Sequence, residues 1–317
     1  MLTPAPTQPA PLDASVVIPH YNDLANLRRC LDLLERQDLG QSFEVIVVDN
    51  GSALSWAEIE ATVAGRARLI ACAERGAGPA RNAGIAAALA DQLAFVDSDC
   101  RPEPEWLGAG LAALKRWDFV GGQVNVDVED SANLTPVEAF ECVFAFRFKD
   151  YIEKKRFTGT GNLFARRAVF DAVGGFKAQV SEDVEWSHRA LAAGFTLGFE
   201  PRAVVGHPAR RTWAELLRKW DRMNSEGFLL AQQRAGGRLR WLARSWVVLL
   251  SVGPHAFKVA RASALPRWRD RRAAIWVLAR LRIYRFLAAH RIAFATYDPA
   301  HPGAKTDQAV GVEKRRG

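Results

Sequence analysis

Two carboxylates stand one residue apart at the end of an apolar run. Asp97 and Asp99 follow the stretch Leu93 to Val96, whose composition is that of a buried strand. Carboxylate oxygens are the ligands that hard divalent cations such as Mg²⁺ and Mn²⁺ prefer, and such a cation can neutralise charge that develops on a phosphate group. A helix cap or a turn would also use two acids after a strand. The pair is therefore a candidate metal site only if its position in the chain supports one.

Other apolar runs end in polar residues of the same kind. The run 15–18 is followed by Pro19-His20-Tyr21-Asn22-Asp23, the run 43–48 by Asp49-Asn50-Gly51-Ser52, and Pro79 to Gly84, which includes Arg81, opens an alanine-rich helical pattern. In α/β folds, ligands bind beyond the carboxyl ends of the strands. We therefore expect these segments to share one site with Asp97 and Asp99.

The elements that must position these residues alternate regularly. The pattern predicts strands at 15–18, 44–48, 68–71 and 93–97, and helices at 24–37, 56–64, 79–90 and 104–116. This is the rhythm of βαβ units around a mainly parallel sheet. Further strands are predicted at 119–126, 162–165, 196–200 and 203–205, and helices at 136–156, 167–173 and 183–193. Only helical patterns follow residue 213.

The ordered series of motifs resembles glycosyltransferase family 2, whose members have the GT-A fold and move a sugar from a nucleotide-diphosphate donor. The likeness covers roughly residues 14–208 and continues through Thr158 to Asn162, Val173 to Phe176, and Ser181 to Trp186. It implies an α/β GT-A catalytic domain at 14–210, followed by a basic helical region at 211–297. Residues 1–13 are interpreted as a disordered tail and 298–317 as a flexible one.

The resemblance implies a role for each motif on the donor side. Asp99 would coordinate Mn²⁺ or Mg²⁺ directly, Asp97 would contact the ribose and reach the metal through water, and His207 would be a third ligand. Pro19 and Tyr21 would line the pocket for the donor base, and Asp49 would accept a hydrogen bond from that base. Arg81 would face the ribose or a phosphate, and Ser98 would also bind the donor. A hydrogen-bond acceptor at Asp49 suits the N3–H group of uracil, and it would also suit guanine. Asp49 could instead belong to an ordinary turn, Arg81 could be a surface charge, and a lone His is often structural.

On the acceptor side, the resemblance implies that Asp183 is the general base of an inverting transfer, with Glu182 contacting the acceptor or substituting in part. Gly161 and Asn162 would form the floor beneath the transferred sugar, and Trp186 would border the acceptor. Acids at a helix start are also what simple capping produces. The stretch Leu216 to Trp220 departs from the Gln-x-x-Arg-Trp signature of processive members, which favours transfer of a single sugar.

Charge divides the chain unevenly. Residues 1–200 carry 28 acidic and 19 basic side chains, whereas residues 201–317 carry 7 and 24. The basic part also holds six tryptophans, namely Trp213, Trp220, Trp241, Trp246, Trp268 and Trp276. This mixture favours contact with a membrane surface, although a structural helical cap is equally compatible and arginines on all sides of 267–291 argue against a clean amphipathic face. Nucleic acid is the disfavoured partner.

No apolar run reaches the length of a membrane span, and residues 1–12 lack the pattern of a signal peptide. The four cysteines form no Cys-x-x-Cys pair, which predicts reduced thiols in the cytoplasm, on the inner face of a membrane. Oligomeric state carries no sequence signal.

These observations predict a metal-dependent inverting glycosyltransferase that adds one sugar, from a UDP-sugar by preference, to a carbohydrate or lipid-linked acceptor in bacterial polysaccharide or glycoconjugate assembly. Two alternatives are a nucleotidyltransferase, which should show a glycine-rich loop after its first strand, and a catalytically silent nucleotide-sugar-binding protein. A nicotinamide dehydrogenase is disfavoured, since no Gly-x-Gly-x-x-Gly follows the first strand.

Overall fold

The computed structural model describes residues 12–37, 40, 42–178, 181–232 and 235–294. The predicted carboxyl-terminal tail, 298–317, and residues 1–11 of the predicted amino-terminal tail lie outside the described residues. Within them, an eight-stranded sheet is flanked by helices and followed by a helical region. The α/β fold class predicted from the sequence is confirmed.

The strands follow the order β3-β2-β1-β4-β7-β6-β8-β5 across the sheet. Their bounds are β1 Ala14–His20, β2 Phe43–Asp49, β3 Arg68–Ala71, β4 Gln92–Val96, β5 Arg101–Pro102, β6 Phe119–Asp127, β7 Asn162–Arg166 and β8 Leu197–Pro208. Strands β1 to β4 are parallel, with His20 of β1 opposite Asp49 of β2. The polar segments that follow β1, β2 and β4 therefore meet at one edge of the sheet, as predicted.

Strand β7 runs antiparallel to both of its neighbours, so the sheet is mixed. The strands predicted separately at 196–200 and 203–205 are one long strand, β8, whose pairing with β6 shifts register between Gly122 and Gln123. A Cβ on Gly122 would lie 2.1 Å from the Ala203 carbonyl oxygen, so the close approach at this irregularity requires glycine.

Eight helices lie among the described residues before residue 200. They are α1 Leu24–Leu34, α2 Trp56–Val63, α3 Ala77–Ala87, α4 Trp106–Ala113, α5 Pro136–Phe144, α6 Phe148–Lys155, α7 Arg167–Val173 and α8 Glu182–Ala192. Helix α1 buries Leu27, Cys30, Leu31 and Leu34, at the spacing of one helical face. Helix α3 lies so close to β1 that a Cβ on Gly84 would fall 2.3 Å from a methyl group of Val17.

The single helix predicted at 136–156 is wrong, because the chain forms two helices with a break between them. Thr135 and Glu138 form a capping box that starts α5, and α5 ends at Phe144. Phe146 then adopts φ 52°, a left-handed conformation that a regular helix excludes. Its ring packs at a tilt against His207, with 4.4 Å between the ring centres, which gives this turn a tertiary cause.

The described part of the carboxyl-terminal region holds four helices, α9 Trp213–Gln232, α10 Gly237–Leu250, α11 Val252–Ala260 and α12 Trp268–Phe294. Helix α12 contacts α9, α10, α11 and also α5 of the preceding part, and the shared core includes Phe140, Leu216 and Leu278. Because α12 has neighbours on several sides, it has no single apolar face, in agreement with its sequence. No described helix is both long enough and apolar enough to span a bilayer. The domain boundary at 210 stays an interpretation.

Candidate active site

Asp97, Asp99 and His207 converge at the carboxyl edge of the sheet. Asp97 and Asp99 follow β4 directly, and the short strand β5, which begins two residues after Asp99, pairs with β8 at Gly206. This pairing brings the next residue of β8, His207, beside the acids, with its Nε2 3.5 Å from Oδ2 of Asp99. Residues separated by more than a hundred positions therefore present two carboxylates and an imidazole to one point.

The hydrogen bonds of His207 fix its tautomer. Its Nδ1 lies 2.9 Å from the carbonyl oxygen of Pro208, which can only accept, so the proton resides on Nδ1. In the neutral form of the ring, Nε2 then presents a lone pair to the carboxylate of Asp99. Two acceptors at this distance are compatible with a cation between them, or with a protonated imidazole. The donor set therefore fits Mn²⁺ or Mg²⁺.

The pKa of Asp99 is raised above its ordinary value. Burial raises it, the neighbouring Asp97 raises it further, and His207 opposes both effects. Cys100 also brings its sulfur within 4.8 Å of an oxygen of each aspartate. Burial, however, raises the pKa of Cys100 well above its ordinary value, so the group is a thiol. A protonated sulfur is a poor ligand for a hard cation, and we assign Cys100 to the core beneath the site.

The predicted base pocket lies at the ends of β1 and β2. Asp49 is buried, and its Oδ1 accepts hydrogen bonds from His20 Nδ1 at 3.1 Å and from the Ser52 hydroxyl at 2.5 Å. The backbone N–H of Asp23 donates to Nε2 of His20, which places the His20 proton on Nδ1. Asp49 is thus held rigidly, and the sequence reasoning missed His20 as its partner. Tyr21 beside it is 57% exposed, which leaves a ring face for a base to stack on.

Two further residues of the predicted donor site take different positions. Pro19 is half-buried near the end of β1, and Ser98 stands half-buried between the two aspartates. Among the described residues, no protein group forms a hydrogen bond with the Ser98 hydroxyl. Ser98 is therefore available to a ligand, and its donor-binding role stays a prediction.

Arg81 is a buried bridge and not a surface charge. It is 3% exposed, and its Nη2 donates to Asp97 Oδ1 at 2.5 Å while its Nη1 donates to Glu182 Oε1 at 3.1 Å. Burial opposes its charge, yet Asp97 and Glu182 together hold the pKa of Arg81 above its ordinary value. Arg81 therefore joins the predicted metal-binding acid to the start of α8.

The first turn of α8 carries the predicted catalytic acids. Glu182 is engaged by Arg81, whereas Asp183, among the described residues, accepts only the backbone N–H of Val184, at 2.8 Å. Burial raises the pKa of Asp183 to about 7, with the adjacent Glu182 and then the more distant Glu226 adding to the effect. A carboxylate with this pKa is matched to proton transfer near neutral pH. Glu226 lies on α9. Its proximity to the site was not predicted from the sequence, because no motif surrounds it there.

The three residues predicted on the acceptor side differ in outcome. Gly161 lies against Asp97, since a Cβ there would stand 2.6 Å from Asp97 Oδ2. Asn162 is completely buried, accepts a hydrogen bond from Trp106 Nε1 and donates to two backbone carbonyls, each at 2.9 Å. With its amide thus occupied inside the protein, the prediction that Asn162 contacts the sugar is wrong. It ties β7 to β6, β8 and α4.

The prediction that Trp186 borders the acceptor is also wrong. Trp186 is fully buried, stacks on Phe170 at a centroid distance of 4.5 Å, and donates its indole N–H to the Gly174 carbonyl oxygen. The side chain is a core residue that anchors α8 to the fold. It faces away from the site because it lies on the apolar side of α8 together with Ala190.

Comparisons with known proteins agree with this geometry. The family model described as glycosyl transferase family 2 matches residues 15–179. The chain belongs to glycosyltransferase family 2. This family 2 chain is 35% identical over 218 residues to glycosyltransferase AglE of Haloferax volcanii, covering 66% of this chain and 71% of that protein. It is 30% identical to the pre-mycofactocin glycosyltransferase of Mycobacterium tuberculosis over 68% of its own length, but spans only 46% of that relative.

Solved structures give the fold. A mannosyltransferase from Pyrobaculum calidifontis, in complex with GDP-Man and Mn²⁺, matches with a TM-score of 0.57 at 17% identity and covers 92% of each chain. GalNAc-T7 with UDP, GalNAc and Mn²⁺ matches with a TM-score of 0.50 at 18% identity, over 64% of this chain and 45% of that one. The family 2 chain therefore has the GT-A fold, and it is a transferase of the glycosyltransferase class.

Proposed function

We propose that this family 2 enzyme transfers one sugar, with inversion, from a nucleotide-diphosphate donor to an acceptor hydroxyl, and that the transfer depends on a divalent cation. The observation that carries the proposal is the convergence of Asp97, Asp99 and His207, which Arg81 joins to Glu182, the residue next to Asp183. A cation site and a general base at the same edge of the sheet are the two parts that the reaction needs. The two solved structures described above each hold Mn²⁺ together with a nucleotide sugar or nucleotide.

Asp99 and His207 would hold Mn²⁺ or Mg²⁺, with Asp97 beside them. The bound cation supplies charge neutralisation for the diphosphate that leaves. Arg81 keeps Asp97 in a fixed position through its 2.5 Å hydrogen bond, and it counters part of the negative charge that the acids accumulate.

The donor base would stack on Tyr21 beside Pro19 and donate to Asp49. His20 and Ser52 orient the Asp49 carboxylate, and a carboxylate only accepts hydrogen bonds, which suits the N3–H of uracil. We therefore favour a UDP-sugar as donor. Guanine carries a comparable N–H donor, so GDP-sugars are the main competitor.

Asp183 would take the proton from the acceptor hydroxyl while that oxygen attacks the anomeric carbon from the face opposite the diphosphate. The new bond forms between the acceptor oxygen and the anomeric carbon, and the bond from that carbon to the β-phosphate oxygen breaks. Because the pKa of Asp183 is raised to about 7, the carboxylate is basic enough to accept a proton that the hydroxyl loses as it attacks. Glu182, held by Arg81, keeps the electrostatic environment that raises this pKa.

The acceptor would be a carbohydrate or a lipid-linked carbohydrate in polysaccharide or glycoconjugate assembly. Exposed apolar side chains concentrate on α10, α11 and α12, and they include Leu239, Trp246, Val247, Leu250, Phe257, Trp268, Trp276, Ile283, Leu287 and Phe294. Together with the arginines of this region they support peripheral contact with a membrane surface. Of the six tryptophans noted in the sequence, Trp241 instead fills a small core with Phe228.

Two variants test the division of roles. Asp99→Ala should abolish the Mn²⁺-dependent binding of a nucleotide diphosphate measured by calorimetry. Asp183→Asn should bind it with unchanged affinity and lose the slow hydrolysis of a nucleotide sugar, followed as release of the diphosphate. Equal loss of nucleotide affinity in both variants would contradict the proposal, and unimpaired hydrolysis by Asp183→Asn would remove Asp183 as the base.

A further inference from the structure

A large cavity lies beside the proposed catalytic base. It has a volume of about 1010 Å³, and its walls come from α5, α6, the start of α8 and the four carboxyl-terminal helices. Ser181, Val184 and Glu185 line it, so Asp183 stands between lining residues on the first turn of α8. The nucleotide residues Tyr21, Asp49 and Asp99 are not among the lining residues. The cavity is therefore on the acceptor side of the proposed site.

The charges around this cavity do not balance. Its two acidic side chains, Asp150 and Glu185, are already paired, Asp150 with Arg147 and Lys154, and Glu185 with Lys177 and Arg189. Among the described residues, no acid lies within ion-pair distance of four further lining cations, Arg240, Arg244, Arg282 and Arg285. Arg282 is 9% exposed, and its Nη2 lies 3.2 Å from His255 Nδ1. Arg240 and Arg244 are exposed, whereas Arg282 is buried and Arg285 half-buried. For the last two, a guanidinium group removed from water without a compensating charge is costly unless an anion accompanies it.

Unpartnered hydrogen-bond donors provide a second, independent observation. In the part of the chain that the structure describes, seven buried side-chain polar atoms have no hydrogen-bond partner. Four of the seven belong to residues that line this cavity, namely Trp220 Nε1, Asn224 Nδ2, Arg282 Nε and Arg285 Nε. All four are N–H donors, and an N–H group can be satisfied only by an acceptor. A ligand with several anionic oxygens would supply the missing charge, and it would reach these buried donors after a small shift of their side chains.

The electrostatics of the arginines agree with this shortage of anions. Burial and, to a lesser extent, the neighbouring cations Arg282 and Arg244 together lower the pKa of Arg285 to about 9. The guanidinium of Arg285 also lies 3.8 Å from the ring centre of Trp220, so part of its charge faces an aromatic surface and not a carboxylate.

The rest of the wall is apolar and aromatic. Phe140, Phe144, Phe157, Met223 and Leu230 line the cavity next to the arginines. Cavities with apolar walls and a few convergent polar groups bind ligands that are themselves amphiphilic. Met223 is 42% exposed, so this apolar wall continues toward the surface of the helical region.

We propose that this cavity is an acceptor subsite in which Arg244, Arg282, Arg285, Trp220 and Asn224 bind a phosphate group that is attached to an apolar chain. The phosphate serves as a handle and takes no part in bond formation, while the apolar chain lies along the phenylalanines. The inference rests on the proposed function, because it places this phosphate on the molecule whose hydroxyl Asp183 would deprotonate.

Binding of farnesyl phosphate to the full chain tests the subsite directly. Calorimetry in EDTA, without nucleotide, isolates this cavity from the cation-dependent donor site. Farnesyl phosphate should bind, whereas farnesol and inorganic phosphate should each bind at least about tenfold more weakly, because each supplies one half of the interaction. Farnesol that binds as tightly as the phosphate would overturn the anion site, and inorganic phosphate that binds as tightly would overturn the apolar part.

The variants Arg282→Gln and Arg285→Gln should each weaken farnesyl phosphate binding about 10- to 100-fold, the loss expected for a charge-assisted hydrogen bond. Arg280→Gln is the matched control, since Arg280 lies exposed on the same helix, over Trp213 and Trp276, and should bind like the unmodified protein. Unchanged binding by Arg285→Gln would contradict the proposal. A structural role would instead lower the melting temperature of Arg285→Gln, whereas removal of an uncompensated buried charge should leave it unchanged or raise it.

A nucleotide arm separates this inference from the proposed function. Arg285→Gln should bind a nucleotide diphosphate with Mn²⁺ as the unmodified protein does. Nucleotide binding without farnesyl phosphate binding would refute the subsite and leave the transferase proposal intact. Failure to bind any nucleotide diphosphate would refute the transferase proposal on its own.

Discussion

Replacement of Asp183 by Asn should raise the stability of the protein while it removes catalysis. Burial raises the pKa of Asp183 from 3.8 to about 7, so the folded state disfavours its charged form. At 1.36 kcal/mol per pKa unit, this corresponds to about 4 kcal/mol at most, and to about 2 kcal/mol after allowance for the partial exposure of the group. Asn keeps the oxygen that accepts from Val184 N–H and carries no charge.

The pH dependence has a definite sign. Because the folded-state pKa is raised, Asp183 destabilises the protein least below pH ~4, where it is protonated in both states, and most above pH ~7. The stability gained by Asp183→Asn should therefore grow between these limits and then stay constant. The pH profile of the unmodified enzyme should report the ionisation of the same side chain. Because Asp183 must be deprotonated to act as the base, kcat/KM should fall about tenfold per pH unit below pH ~7.

Urea unfolding followed by tryptophan fluorescence, in EDTA and at pH values of about 5, 6, 7 and 8, measures the effect. Asp171→Asn, which removes an exposed carboxylate from α7, is the control and should change the free energy of unfolding by less than ~0.5 kcal/mol at each pH. The reasoning is refuted if Asp183→Asn is less stable than the unmodified protein at pH ~8, or if its effect is the same at every pH. The rate of donor hydrolysis should fall about 10²- to 10⁴-fold.

Three other substitutions test the site. His207→Gln should weaken Mn²⁺ binding about 10- to 100-fold, measured by calorimetry, and unchanged affinity would exclude His207 as a ligand. Asn162→Ala should lower the free energy of unfolding by about 3 kcal/mol, because it leaves the Trp106 N–H and two carbonyls without partners; a loss below ~1 kcal/mol in urea unfolding would contradict its structural role. Gly161→Ala should displace Asp97, whose carboxylate lies 2.6 Å from the added Cβ, and lower nucleotide affinity about tenfold. Equal affinity would show that Asp97 can move without consequence.

The sequence predicted the alternating elements well because each was encoded locally. Val- and Ile-rich runs marked β1, β2 and β4, and the polar residues after them met at one edge because parallel strands end together. Asp97, Asp99 and His207 were predicted as one site from family order alone, and the β5–β8 pair gives the physical reason for it.

Features that depend on tertiary contacts were missed. The break after α5 depends on Phe146, whose ring packs on His207 and under the ammonium of Lys219, so nothing within 136–156 encodes it. Trp186 could have been assigned to the core from its helical spacing with Ala190, a local signal that proximity to Asp183 outweighed. Asn162 carried no such signal, because its three partners come from three other elements.

The acceptor-side cavity was equally beyond sequence reasoning. Its unpartnered donors, on Trp220, Asn224, Arg282 and Arg285, come from two helices separated by dozens of residues, and arginines on every side of α12 gave no pattern. The free-energy cost of an arginine without an acid partner depends on its burial. That burial is set by the helices packed around α12 and is not encoded in the sequence of α12 itself.

The most direct test of the central claim is calorimetric titration of UDP, GDP, CDP and ADP, each with and without Mn²⁺. The proposed site predicts that one diphosphate, UDP by preference, binds tightly in the presence of Mn²⁺ and at least about tenfold more weakly without it. Binding of none of the four, or binding that is indifferent to Mn²⁺, would contradict a cation-dependent nucleotide-sugar site at Asp97, Asp99 and His207.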